Sequence, residues 1–74
     1  MRTYYTNYTH AKQIKDANGA HETLKSANAE KREFNKIYGD TVPQIVARLV
    51  APNQYGEDTF IGYYVCNGDD MHLV

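Results

Sequence analysis

Six side chains in this 74-residue sequence could hold a metal or move a proton: His10, His21, Cys66 and His72, with Asp69 and Asp70 close to the last two. A zinc site built from one turn of chain needs a close pair of the C-x-x-C or H-x-x-x-H kind, because that spacing aims two ligands at one ion. The sequence contains no such pair, and Cys66 and His72 face each other only across a turn. No metal and no cofactor are expected. Nucleophilic catalysis asks for a nucleophile, a base and an orienting group held together. Cys66 with His72 or His10 has the right groups but no motif that places them. Cys66 ends an apolar run, where a free cysteine is ordinarily a small buried hydrophobe. Gly19, Gly39, Gly56, Gly62 and Gly68 are each isolated, so no glycine-rich phosphate loop exists. The acid pairs Glu57-Asp58 and Asp69-Asp70 fall in turn-forming stretches, as solvated loop residues do. A domain this small also has little room for a deep pocket. No enzymatic activity is expected.

Charge gives a second class of function to weigh. Residues 1–38 carry seven bases against four acids, net +3, and residues 39–74 carry Arg48 against five acids, net −4. A surface so divided orients a charged partner or a second copy of the chain. Single-stranded nucleic acid is the competing partner, since Lys12, Lys15, Lys25, Lys31, Arg32 and Lys36 can gather on one side and tyrosines can stack on unpaired bases. Against it stand the acidic second half and the absence of an aromatic RNA-binding motif or a helix-turn-helix.

The elements that position these groups are read from periodicity and turn chemistry. In "SANAEKREFNKIYGD", Ser26 is a natural N-cap, and Ala27, Phe34 and Tyr38, with Ile37 beside them, form one apolar stripe. Gly39 then supplies a left-handed C-terminal position. In "TVPQIVARLVAP" a strand sets Ile45, Ala47 and Leu49 on one face and Val46, Arg48 and Val50 on the other, with Pro43 at its start. "PNQYGED" is a loop. "TFIGYYVC" is the paired strand, with Phe60, Gly62 and Tyr64 opposed to Ile61, Tyr63 and Val65, and "DDMHLV" adds a short edge. The region before the helix has two readings. Asn18-Gly19 signals a tight hairpin, which is favoured here. The other reading is a helix capped by Thr9, running through Ile14 and Ala17 and stopped by Gly19, with Leu24, Ala27, Lys31, Phe34 and Tyr38 extending the second helix back to His21. With the hairpin, the fold is α+β: a single two-layer ββαββ domain, one helix packed on one face of an antiparallel sheet.

One helix covers one sheet face, so the other is left to display side chains. If "RTYYTNYT" (residues 2–9) is a strand, Tyr4 and Tyr8 share a face and Tyr5 takes the opposite one. The chain has seven tyrosines, two phenylalanines and no tryptophan, so most of its large side chains end in a polar tip, as at half-wet binding surfaces. The expected partner-binding set is therefore Tyr4, Tyr8, Tyr55 and Tyr63 as anchors, with Lys31, Arg32 and Lys36 as steering charges. The partner is a larger protein or ribonucleoprotein complex, or a second copy in a homodimer that buries the tyrosine face.

The stretches "LKSANAEKREFNKIYGDTVPQIVARLV" and "TFIGYYVCNGDD" give an order of strand, turn, strand, capped helix ending in Tyr-Gly, strand and long hairpin. That layout resembles very small phage-encoded inhibitors, type I anti-CRISPR proteins among them. The resemblance implies a phage or mobile-element inhibitor that occludes a surface of a host defence complex without chemistry. No binding residue is transferred by it, since no motif matches residue by residue. The single cysteine, the lack of an apolar run of membrane-spanning length and the polar start at Met1-Arg2-Thr3-Tyr4 lead to the expectation of a cytoplasmic protein. A chain this short buries only about 60% of its unfolded surface, so stability of a few kcal/mol is expected.

Overall fold

The apolar-rich stretches Ile45–Ala51 and Phe60–Cys66 form the two long strands at the centre of the molecule. The computed structural model describes residues 1–39 and 43–68. Its elements in chain order are β1 (Arg2–Tyr5), α1 (Tyr8–Asp16), β2 (Ala20–His21), α2 (Leu24–Tyr38), β3 (Gln44–Pro52) and β4 (Asp58–Asn67). The four strands form one sheet in the order β1-β3-β4-β2. β3 and β4 are antiparallel, β1 lies parallel to β3 with Tyr4 opposite Leu49, and β2 pairs antiparallel with β4 through Ala20–Tyr64 and His21–Tyr63.

The expected ββαββ order is thus corrected to β-α-β-α-β-β, an α+β fold with two helices on a mixed sheet. The hairpin at Asn18-Gly19 is replaced by the end of α1. Asn7 rather than Thr9 caps that helix, its side chain accepting from the His10 N–H at 2.7 Å. Asn18 takes φ 60°, the left-handed conformation that ends helices as readily as it makes tight turns. Tyr8 belongs to α1 and no longer shares a strand face with Tyr4. The later helix also starts earlier than Ser26. Thr23 is its cap, accepting from the Ser26 N–H at 3.2 Å, and Gly39 closes it in the ordinary helical region at φ −60°, not the left-handed one.

The division of β3 into two faces holds. Ala47 and Leu49 are buried with Tyr4, Ile14 and Cys66, and Ile45, Ala20, Ile61 and Tyr64 pack against that cluster. Since Ala20 is on the α1 face, the next residue, His21, points to the opposite one. There its imidazole meets Ser26 and Glu30 of α2. The two helices therefore lie on opposite faces of the sheet. On β4 the alternation breaks between the pairs Leu49–Gly62 and Val50–Phe60, where Ile61 is an extra residue. This bulge puts Ile61 on the α1 face and Phe60 with Tyr63 on the α2 face, correcting the expected grouping of Phe60 with Gly62 and Tyr64. The edge strand expected in residues 69–74, with His72, Asp69 and Asp70, and Thr41–Val42 of the expected third strand lie outside the described residues.

Candidate functional site

α2 is fixed at two points: near its start by His21, and near its end by Asn35, whose side-chain amide bonds both the N–H (2.8 Å) and the C=O (3.1 Å) of Gln44. The helix therefore crosses toward the foot of β3 and leaves the upper part of its sheet face open. Two rows of side chains cross that open part. One is Thr3, Arg48 and Tyr63; the other is Tyr5, Val50 and Phe60. Tyr5 is 57% exposed and Phe60 42%, while Val50 is buried between them. The Arg48 guanidinium lies 5.2 Å from the centre of the Phe60 ring, and Phe60 meets Tyr63 edge-on at 5.2 Å. A cation over an exposed ring contributes about 0.5–1 kcal/mol. Here it also sets a charged group over an aromatic surface, a combination enriched where proteins meet.

The sequence-predicted contact residues are distributed over several places. Tyr63 belongs to the open patch. Tyr4 does not belong to any surface: it is 7% exposed, packed edge-on against Tyr64 at 5.3 Å, and its assignment as a partner anchor is corrected. The reason is that α1 covers its face of the sheet. Tyr8 is half-exposed at the start of α1, on the opposite side from the patch. Tyr55 sits at the tip of the β3–β4 hairpin, 78% exposed. That tip is fixed: the Asn53 side chain accepts from the N–H groups of Tyr55 and Glu57, and Gly56 adopts φ 82°. Arg32 and Lys36, one helical turn apart, are exposed on α2, and Lys31 is half-buried. Tyr5, Arg48 and Phe60 were missed as a group. Arg48 was readable on the Val46–Val50 face, but the bulge that turns Phe60 toward it leaves no mark in the sequence.

A second constellation was also missed. The His21 Nδ1 lies 2.7 Å from the Ser26 hydroxyl and Nε2 bonds the Glu30 carboxylate. A carboxylate only accepts, so Nε2 carries a proton; in the neutral imidazole Nδ1 then accepts from the Ser26 hydroxyl, and in the imidazolium it donates to it. Hydroxyl, imidazole and carboxylate thus follow one another, and the neutral imidazole has Nδ1 aimed at the hydroxyl proton. The signal available beforehand was the four-residue spacing of Ser26 and Glu30 behind a histidine. Mechanically, the same bonds tie the two-residue strand β2 to α2. Among the described residues no group of three His, Cys, Asp or Glu side chains gathers as a metal site, and no helix is long and apolar enough to cross a membrane. Cys66 is buried.

No family model, no curated protein and no solved structure matches this chain.

Proposed function

We propose that the chain is a non-enzymatic protein-binding domain that docks through Tyr5, Arg48, Phe60 and Tyr63, with Tyr55 on the hairpin tip as a further contact. The observation that carries this reading is the aromatic and cationic patch on a rigid central sheet, left uncovered beside α2. Aromatic and arginine side chains of this kind supply most of the energy at the centres of interfaces. Lys31, Arg32 and Lys36 add positive charge along α2, which speeds encounter with an acidic partner. The inhibitor form, in which the partner is a host defence complex, rests on the resemblance of layout. That resemblance now extends only over the second helix and the β3–β4 hairpin, because the opening strand-turn-strand is absent.

The test is recovery of a partner from bacterial lysate on immobilised protein, with and without nuclease, followed by titration of the purified partner. Arg48→Ala and Phe60→Ala are each expected to weaken binding by more than about 1 kcal/mol, roughly fivefold or more, with the fold intact. Recovery lost on nuclease treatment would instead assign the patch to single-stranded nucleic acid. Affinity unchanged in both variants would remove the patch from the interface.

The Ser26–His21–Glu30 line favours a second reading, acyl transfer with Ser26 as nucleophile. It predicts that a fluorophosphonate forms a covalent adduct at Ser26 and that His21→Ala abolishes it. An unlabelled Ser26 leaves His21 as a latch between β2 and α2 and ends that reading.

A further inference from the structure

β4 is longer than the strand that borders it. β2 pairs only with Tyr63 and Tyr64, so among the described residues nothing pairs with the outer edge of Asp58–Gly62. The pairing with β3 determines which backbone groups face outward there. The Asn53 N–H donates to the Glu57 C=O at 2.8 Å, which makes Asn53 and Glu57 a bonded pair. Bonded and non-bonded pairs alternate along an antiparallel ladder. Pro52, opposite Asp58, has no N–H to give, as a non-bonded position requires. Ala51 and Thr59 are then bonded to each other, and Asp58 and Phe60 direct their N–H and C=O groups away from the sheet. The Val50 carbonyl agrees, since it accepts from the Thr6 N–H on the β1 side at 3.1 Å.

An outward row of backbone groups is a template for another strand. We propose that its occupant is a second copy of this chain, the two β4 strands pairing antiparallel about a two-fold axis at Thr59. The register follows from the outward groups, since only Asp58 and Phe60 can bond across the axis. Each Asp58 therefore faces the other copy's Phe60. An axis at Asp58 would oppose two carboxylates. An axis at Phe60 would bring Glu57 of the second copy opposite Tyr63, where β2 already sits. The axis at Thr59 ends the new pairing just short of β2.

Charge supports the same register on both faces. Alternation places Glu57 on the side of Thr59 and Ile61, and the second copy's Glu57 lies opposite Ile61. Ile61 is the β4 wall of a groove of about 290 Å³ whose other walls are Tyr8, Ala11, Lys12, Lys15 and Asp16 of α1. The ammonium groups of Lys12 and Lys15 there attract the incoming carboxylate, against the single opposing charge of Asp16. On the other face the second copy's Asp58 lies beside Phe60, over which Arg48 is held. The acidic second half of each copy meets the basic groups of the other, and the two-fold axis repeats each pairing.

Sedimentation velocity from about 10 µM to about 1 mM tests this, because a homodimer must appear with concentration. Wild-type protein is expected to pass from monomer to dimer. Glu57→Lys alone and Lys12→Glu with Lys15→Glu are each expected to raise the dimer dissociation constant at least about tenfold, and an equimolar mixture of the two variants to restore association. Hydrogen exchange on the unaltered chain gives a readout independent of folding in the variants: the Asp58 and Phe60 amides gain protection as concentration rises, while the Thr59 amide is protected throughout. A wild-type monomer at the highest concentration, or a dimer indifferent to both charge reversals, would overturn the proposal. The reversed charges at Glu57, Lys12 and Lys15 lie outside the Tyr5–Arg48–Phe60–Tyr63 patch, so dimer loss in those variants and partner loss in Arg48→Ala or Phe60→Ala are read separately.

Discussion

Leu49→Ala is expected to leave most of the chain unfolded at 25 °C. Leu49 is the only large side chain among the described residues with no exposure at all. It sits in the middle of β3 between Tyr4 on one neighbouring strand and Gly62 on the other, with Ile14 of α1 above the sheet. Removing its three terminal carbons forfeits their burial and leaves a cavity that strands bonded on both sides cannot close. Such replacements cost about 2–5 kcal/mol. A domain of this size has only a few kcal/mol of stability, so the loss takes up most or all of it. Far-ultraviolet circular dichroism with urea titration checks the expectation: the variant should have no folded baseline, or a midpoint near zero. A cooperative transition close to the wild-type midpoint would show that the core does not depend on this residue. Leu49→Met, which keeps the volume, should cost under about 1.5 kcal/mol and stay folded.

How well each region could be read in the sequence follows from how many residues carry its signal. β3 and β4 are long, so alternation is repeated often enough to set the faces of Ile45 through Val50 correctly. α1 buries only Ala11 and Ile14, a single i, i+3 pair, and that pair could not outweigh Asn18-Gly19. The dipeptide carries two meanings because one property, tolerance of positive φ, serves both a hairpin turn and a helix end. Thr23 and Ser26 stand three residues apart and both cap helices well. The structure uses the first hydroxyl to receive the N–H of the second residue, which frees the Ser26 side chain for His21. The patch was hidden for another reason. It needs a bulge at Ile61, a register defect between two strands, and a single strand's sequence does not record its partner's count.

Tyr4→Ala is expected to destabilise the fold by about 3–5 kcal/mol, as truncation of other large buried aromatics does, whereas Tyr5→Ala should change stability by no more than about 0.5 kcal/mol. The two residues are adjacent and chemically identical, so the difference isolates the face of β1 on which each lies. Tyr4 turns toward α1 and packs edge-on against Tyr64 at 5.3 Å and His10 at 6.2 Å. His10 is itself bonded to Thr6 at 2.8 Å, so the ring also helps fix the chain between β1 and α1. Tyr5 turns toward the open patch, and its loss removes contact surface without opening a cavity. With a urea slope of about 1 kcal/mol/M for so small a domain, Tyr4→Ala should move the midpoint by about 3 M or abolish the transition. Tyr5→Ala should leave the midpoint in place and weaken partner binding. A Tyr4→Ala protein with the wild-type midpoint and lost binding would reverse the assignment. It would return Tyr4 to the contact surface, and α1 would then have to leave that face of the sheet when the partner binds.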